Sequence, residues 1–389
     1  MPSISKRLLT FISLFGLAAG SALAQPATAT VFASGLSNPA KIITGPSGTL
    51  LVAETGTTSN SGRVSIISAS GTRSTLIDGL PSGLSVPNGD PDGVNGLLLD
   101  GNTLYIAVGE GDLYANGTAQ GTLVVNPNAG KISSPIFDSL LQVDLSQAAD
   151  KIASGFTLQT ADHTTLFHGQ PVSLTNTSGD KATVSILAQF RFRPDPTEII
   201  KHSHPYGITK IDSDPAHLYV NDAGLNLVHQ VDIPSGRKRT LIQFPQFSNV
   251  GPTGPPVVDA VPTSVRAYGN QLLVSFLTGF PFTPGDSKVL QIDPATGTSV
   301  PFLSWLSSAT DIVYRTRPNG ARPQFFLLEY STGFLAGAPG RVQVFNSPTG
   351  AVLVDGLHGP TSLALNNTAG TLYIASRTDG KILQVDVGQ

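Results

Sequence analysis

The chain has 389 residues, enough for one large domain or two average ones, and only 13% of them are charged. Its 41 glycines and 29 prolines favour frequent turns over long helices, and a formal net charge of −3 gives no support for nucleic-acid binding. The absence of cysteine excludes disulfides, thiol chemistry and a lipid anchor on cysteine.

The first 24 residues have the three parts of an export signal. Lys6 and Arg7 form a positive segment, "LLTFISLFGLAAG" is an apolar stretch, and Ala22-Leu23-Ala24 is a small-x-small cleavage site. The apolar stretch is too short for a transmembrane helix, and no second one follows. We therefore predict a signal peptide over 1–24, cleavage after Ala24, and a secreted or periplasmic protein without a stable membrane anchor.

Six apolar segments each end in a polar turn that contains glycine. They are LLVAETG at 50–56, LYIAVGEG at 104–111, LYVNDAG at 218–224, LLVSFLTG at 272–279, FFLLEYSTG at 325–333 and LYIASRTDG at 372–380. Each is preceded by one short strand-like segment and followed by another, such as "LVHQVDI" and "ILQVDV", and a fourth often follows. Short strands without a 3.6-residue period predict an all-β chain, and a period of four strands predicts the blades of a propeller.

The spacing of these segments predicts six four-stranded antiparallel blades. Their central residues, from Val52 to Ile374, lie 54, 114, 54, 53 and 47 positions apart. The long step indicates either a degenerate seventh blade or an insertion in blade 2. We favour an insertion around 150–197, with a hairpin that turns at "TSGD", inside a single propeller domain over 25–389.

The two ends of the chain complement each other. The last repeat stops after its third strand, at "ILQVDVGQ", and "VFASGL" at 31–36 resembles the fourth-strand ends "TLIDGL" and "VLVDGL". We predict that this N-terminal strand pairs into the last blade and closes the ring.

Residues 218–236 and 259–293, including the unusual "LTGFPF" at 277–282, resemble the ScyD/ScyE family of exported bacterial β-propeller proteins. The resemblance extends over most of the chain beyond the signal. It implies a six-bladed propeller related to NHL-repeat, TolB-like and SMP-30/gluconolactonase-like propellers, and it implies no particular reaction. The chain departs from the family at "HSHPYG", where the family has Ser-Asn before Pro-Tyr-Gly.

In a propeller the first strand of each blade lines the central channel, so residues at the starts of these strands meet at one mouth. These residues are Asn38, Asn95, His204, Thr263, Asp311 and His358, with Asp92, His202 and Asp259 close by in sequence. We predict a ligand or ion site there. The alternative is a water-filled channel lined by polar groups that satisfy one another.

Two metal sites are candidates. His202 and His204 lie two apart in an extended segment, so their imidazoles point the same way and would suit Zn²⁺. Asn38 and Asp92 also match strand starts that carry Asn and Asp ligands in SMP-30-like lactonases, but no Glu stands at a matching start. Asn88, Asp90 and Asp92 before Gly93 resemble the opening of a Ca²⁺ loop, although Leu99 stands where a bidentate Glu is expected. The alternatives are polar lining for the histidines and a solvated turn for the acids.

Two further sets of residues are candidates for a functional role. Phe280 and Phe282 could stack on a flat ligand or cover the edge of a sheet. Glu54, Asp222 and Glu329 take the same position after the second strands of blades 1, 3 and 5. A catalytic acid would be expected once, so we predict that Asp222 organises a turn and that replacing it lowers stability without changing ligand affinity.

These observations favour an exported binding or scaffold protein with a small-ligand or ion site at the channel mouth. The alternative is a lactonase-type hydrolase that uses a divalent metal, Ca²⁺ or Zn²⁺, the one cofactor for which the sequence offers candidate ligands. We expect a small molecule or a protein as ligand and a monomeric chain. We find no nucleophile elbow, no phosphate loop and no cluster of Arg and Lys near a channel His of the kind that a quinone-dependent sugar dehydrogenase would need.

Overall fold

A computed structural model describes residues 26–86, 89–118, 123–127, 130, 132–190, 202–317, 321–347 and 349–388. The signal peptide predicted over 1–24 lies outside these residues. Within them, six large sheets of short strands account for the fold, and no helix is long and apolar enough to cross a membrane.

Blade 1 follows a first strand, β1 (Thr30–Ser34). It consists of β2 (Pro39–Thr44), β3 (Leu50–Glu54), β4 (Gly62–Ile67) and β5 (Arg73–Leu80), with a 3₁₀ turn at Pro46–Gly48. A two-stranded hairpin, β6 (Gly83–Leu84) and β7 (Pro91–Asp92), leads into blade 2.

Blade 2 contains the extra residues of the long repeat. Its elements are β8 (Val94–Asp100), β9 (Thr103–Val108), β10 (Tyr114–Asn116), β11 (Leu123–Val125), β12 (Ser139–Leu145), a 3₁₀ turn (Ala149–Lys151), β13 (Phe156–Thr157), α1 (Thr160–Phe167), β14 (Val172–Thr175) and β15 (Lys181–Gln189). One insertion, with β10 and β11, separates β9 from β12. A second one, with β13, α1 and β14, separates β12 from β15.

The hairpin predicted around "TSGD" joins β14 to β15, but only β14 is additional to the blade. The strand β15 pairs with β12 and serves as the fourth strand of blade 2. The helix α1 is tied to blade 1 by His163, which is fully buried and bonds Ser134 Oγ at 2.9 Å and the Gly79 carbonyl at 2.8 Å. Nδ1 therefore accepts from Ser134 while Nε2 donates to Gly79.

The remaining blades are regular. Blade 3 consists of β16 (Pro205–Ile211), β17 (Asp214–Asp222), β18 (Leu227–Asp232) and β19 (Lys238–Gln243), followed by the hairpin β20 (Phe247–Ser248) and β21 (Val257–Val258). Blade 4 consists of β22 (Pro262–Tyr268), β23 (Gln271–Phe276), β24 (Ser287–Asp293) and β25 (Thr298–Leu306). Blade 5 consists of β26 (Ala309–Arg315), β27 (Gln324–Glu329), a 3₁₀ turn (Phe334–Ala336), β28 (Gly340–Phe345) and β29 (Ala351–Leu357). Blade 6 consists of β30 (Pro360–Asn366), β31 (Thr371–Ser376) and β32 (Lys381–Asp386).

The ring closes as the sequence predicts. The N-terminal β1 pairs antiparallel with β32 and supplies the fourth strand of blade 6. The inner strands β2, β8, β16, β22, β26 and β30 contact one another in that order, and β30 contacts β2 again. The prediction of a six-bladed all-β propeller closed by its N-terminal strand is therefore confirmed, and the six sheets leave no place for a seventh blade among the described residues.

Apolar packing between the sheets holds the blades together. The six residues that mark the repeat are all fully buried: Val52, Ile106, Val220, Val274, Leu327 and Ile374. Burial of one such side chain stabilises a fold by about 1.5–3 kcal/mol. The middle of each second strand thus forms part of the apolar core.

A bulge recurs at the same place in every inner strand. The pairing between the first and second strands skips one residue, the second of the inner strand, in all six blades. The skipped residues are Ala40, Asn95, Tyr206, Thr263, Thr310 and Thr361. A bulge re-aims the side chain it carries, so these six residues form a ring at the channel mouth, which we call the bulge ring.

Candidate functional site

Two halves of the bulge ring differ in their bonding. Thr263 donates to the Ala309 carbonyl of the next blade at 2.9 Å, and Thr361 donates to the Pro39 carbonyl, also at 2.9 Å. These hydroxyls link neighbouring blades. Asn95 and Tyr206, in blades 2 and 3, instead face a group of titratable side chains. The site therefore lies on one side of the mouth.

The group consists of Asp92, Glu110, His202 and His204 around Asn95. A Glu110 Oε2 atom contacts His202 Nε2 and lies 3.6 Å from His204 Nδ1. His204 Nε2 lies 3.2 Å from Asp92 Oδ1 and 3.0 Å from Asn95 Nδ2. We call these five residues the mouth cluster.

Glycines bring the elements of the mouth cluster together. Glu110 lies between Gly109 and Gly111 just after β9. A Cβ on Gly109 would lie 2.4 Å from Asn95 Nδ2, and a Cβ on Gly111 would lie 2.2 Å from the Phe137 ring. On the opposite side, a Cβ on Gly224 would lie 2.3 Å from the His202 carbonyl. Only glycine allows these backbones to approach so closely.

Electrostatics couple His204 to Asp92. Burial would lower the pKa of His204, but Asp92, aided by Glu110 and Asp138, raises it to about 10. Burial would raise the pKa of Asp92, but the charge and hydrogen bond of His204, together with bonds from Asn95 and the Gly111 N–H, hold that pKa well below its usual range. His204 and Asp92 thus each favour the charged form of the other.

Asp222 fixes the backbone at this point. Its Oδ1 accepts the His204 N–H at 2.9 Å and the Leu225 N–H at 2.9 Å, while its Oδ2 accepts from Ser203. Glu54 and Glu329 make the same kind of bond to the N–H groups of Ser37 at 2.5 Å and Ser307 at 2.7 Å. All three carboxylates therefore organise the chain at the start of an inner strand. Asp222 differs because the residue it holds is His204, so we expect it to affect the site as well as stability.

Asp311 lies deeper in the channel and is fully buried. It bonds Lys41 Nζ at 3.0 Å, and Arg266 bonds both of its oxygens, at 2.9 and 2.6 Å. Ser362 Oγ and the Leu363 N–H also donate to it, each at 2.9 Å. Asp311 belongs to blade 5 and these groups come from blades 1, 4 and 6, so Asp311 joins opposite sides of the channel.

Other predicted residues lie away from the mouth cluster. Asn38 has a φ of 55° and donates to the Gly56 carbonyl at 2.7 Å, which closes a turn. Asp259 accepts from Asn226 at 3.2 Å. His358 has 66% of its side chain exposed, and its Nδ1 lies 3.4 Å from Asp379 Oδ1.

The acids of the predicted Ca²⁺ loop are separated. Asp92 lies in the mouth cluster and is buried, whereas Asp90 is exposed on the β6–β7 hairpin. Asn88 lies outside the described residues. Both oxygens of Asp92 accept hydrogen bonds, from Asn95 and from the Gly111 N–H, so Asp92 functions here as part of the histidine site.

Aromatic side chains continue along the same rim. Phe282 stacks on Phe334 with 4.3 Å between ring centroids, and Phe334 stacks on Tyr330 at 5.6 Å. Phe280, 63% exposed, contacts Phe282 edge to face. Tyr330 is close enough to Tyr206 to affect its pKa, which burial raises to about 12. Tyr330 and Phe334 also line a cavity of about 500 Å³ beside His358.

Sequence patterns did not point to Glu110, Tyr206 or the aromatic pair of Tyr330 and Phe334. Glu110 follows a second strand, whereas the predicted channel-mouth residues stand at or near the starts of first strands. The signal that could have found it is the Gly-Glu-Gly triplet, since two glycines around one acid indicate close packing on both sides.

Comparisons with known proteins identify no family. No family model and no curated protein matches the chain. Among solved structures, the Kuenenia stuttgartiensis hydrazine synthase is similar with a TM-score of 0.44 and 16% identity, over 91% of this chain and 78% of that one. A glucose dehydrogenase is similar with a TM-score of 0.47 and 13% identity, over 92% and 99%. An auxiliary nutrient binding protein from Bacteroides thetaiotaomicron is similar with a TM-score of 0.49 and 9% identity, over 90% and 69%. The six-bladed fold rests on the sheets of this structure, and these likenesses carry no ligand or reaction over to it.

Proposed function

We propose that this chain is an exported binding protein of the ScyD/ScyE type that holds a small ligand at the channel mouth. The observation that carries this proposal is the convergence of Asp92, Asn95, Glu110, His202 and His204 on one side of the mouth, while threonines on other sides join the blades. A channel that merely held water would not need an asymmetric group of charges from two blades.

Unmet bonding capacity supports a ligand here. Asn95 is fully buried, and its Oδ1 has no hydrogen-bond partner. Buried amide oxygens are rarely left without a partner, because desolvation then costs about 1–3 kcal/mol. A hydroxyl or amine of a ligand would satisfy this atom.

The neighbouring surface indicates the kind of molecule. Tyr330, Phe334 and Phe282 present stacked rings, and the cavity beside them is of a size typical for small-ligand sites. Aromatic faces suit flat ligands and sugar rings. A flat ligand bearing hydroxyl or amine groups is therefore the class of molecule that we propose.

A thermal-shift screen of flat hydroxylated aromatics, sugars and aminosugars tests the proposal. We expect a compound that raises the melting temperature of the wild type to lose most of that effect in Asn95→Ala and Tyr206→Ala. Asn367→Ala is the matched control, because Asn367 is exposed at the opposite end of the inner strands. Hits that keep their full effect in both mouth variants would contradict the proposal.

A metal-dependent lactonase is the second candidate. Glu110, His202 and His204 offer three ligand atoms within 4.8 Å of one another, and a metal held there could polarise a lactone carbonyl or acidify a water. Hydrolysis of δ-gluconolactone that stops with chelator and returns with Zn²⁺ would favour this function. Turnover that is absent with Zn²⁺ added, or that a chelator leaves unchanged, would count against it.

A further inference from the structure

We propose that Glu110, His202 and His204 bind one divalent transition cation of the Zn²⁺ class. This inference deepens the proposed function and rests on it for the place of the ligand. The cation would be a part of the mouth cluster that an organic ligand contacts.

The ligand atoms are already close to one another. One atom each from Glu110, His202 and His204 lie within 4.8 Å of one another. The same Glu110 oxygen that contacts His202 Nε2 lies 3.6 Å from His204 Nδ1. Ligand atoms that share one tetrahedral metal at about 2.0–2.2 Å lie roughly 3.4 Å from one another, so the side chains of Glu110 and His202 must rotate apart to admit the cation.

Neighbouring residues orient the imidazoles as in known zinc sites. His204 presents Nδ1 to Glu110 and Nε2 to Asp92 Oδ1 at 3.2 Å. A carboxylate on the far nitrogen of a ligating histidine fixes the ring and raises its basicity. The His202 ring packs on Tyr114, with 4.8 Å between ring centroids. Both rings are therefore held in place before any cation arrives.

The donor set selects the metal. Two imidazoles and one carboxylate favour Zn²⁺, Cu²⁺, Ni²⁺ or Fe²⁺, whereas Ca²⁺ and Mg²⁺ prefer oxygen alone. Three protein ligands leave one coordination position for water or a ligand oxygen. The proposed cation would thus remain able to bind a molecule that enters the mouth.

Isothermal titration of the chelator-treated, dialysed protein with ZnCl₂ tests the inference, with CaCl₂ titrated in parallel. We expect one Zn²⁺ per chain, and Glu110→Gln and His202→Ala each to weaken its binding by about 100-fold or more. His217→Ala is the matched control, since His217 Nδ1 lies 2.7 Å from Asp214 outside the mouth, and it should bind as the wild type does. Bound Co²⁺ should show visible bands that both mouth variants lose.

The results separate this inference from the proposed function. The inference would be overturned if the wild type bound no stoichiometric Zn²⁺ or bound Ca²⁺ more tightly than Zn²⁺. It would also be overturned if both mouth variants bound Zn²⁺ as tightly as the wild type. The wild-type titration does not depend on how the variants fold. A ligand whose effect needs Asn95 and Tyr206 but no metal would leave the proposed function in place. Stoichiometric Zn²⁺ without any such ligand would sustain the inference alone.

Discussion

Replacement of Asp311 by Asn should be strongly destabilising. The substitution keeps the shape of the side chain but removes the charge that Lys41 and Arg266 share inside the channel. Lys41 is 2% exposed and Asp311 is fully buried, so water cannot replace the lost partner. Removal of one member of a buried ion pair typically costs about 3–5 kcal/mol, because it leaves an uncompensated charge.

Urea unfolding followed by circular dichroism measures this loss. Asp100→Asn is the matched control, since Asp100 pairs with Lys210 but has 43% of its side chain exposed. Exposed pairs contribute about 0–1 kcal/mol. We therefore expect the free energy of unfolding to fall about 3–5 kcal/mol for Asp311→Asn and less than about 1 kcal/mol for the control.

The pH dependence provides an independent test. Burial would raise the pKa of Asp311, but Arg266 and Lys41 hold it well below the ordinary value of 3.8. Between these two pKa values the unfolded chain binds more protons than the native one, so the stabilisation is complete above about pH 4 and is lost as the pH falls. The difference between wild type and Asp311→Asn should shrink near pH 3. A loss no larger than that of the control at pH 7, or one that does not change with pH, would refute the reasoning.

Three other substitutions test the remaining structure. Asp222→Ala should reduce the free energy of unfolding by about 1–3 kcal/mol, because the N–H groups of His204 and Leu225 lose their acceptor. The substitution should also weaken Zn²⁺ binding. An unchanged Zn²⁺ titration would mean that Asp222 acts on stability alone. Deletion of residues 26–36 should lower the melting temperature by several degrees, because β32 loses its partner strand; an unaltered melting curve would contradict closure. His163→Ala should lower the urea midpoint and speed hydrogen exchange in α1, and protection equal to wild type would show that its bonds are dispensable.

The mouth cluster was only partly predictable. His202 and His204 are two apart in the chain, so local geometry brings them together. Glu110 joins them from another blade, 92 positions before His202, and no local pattern encodes that contact. The position of Asp311 in the sequence also did not predict its contacts. It takes a place at the start of an inner strand, yet its partners lie 270 and 45 residues away and direct it into an internal ion cluster.

The sequence by itself determined the fold, because strand and turn signals are local and repeat six times. Alternating apolar residues define each strand, glycines define the turns, and the missing fourth strand at one end predicts the closure at the other. Tertiary structure alone decided which polar residues meet. The bulges that aim Asn95 and Tyr206 into the mouth, and the approach of Gly109 and Gly224 to neighbouring segments, arise when whole blades pack against one another. Chemistry at the channel mouth depends on contacts between blades, which a repeat pattern read along one chain does not contain.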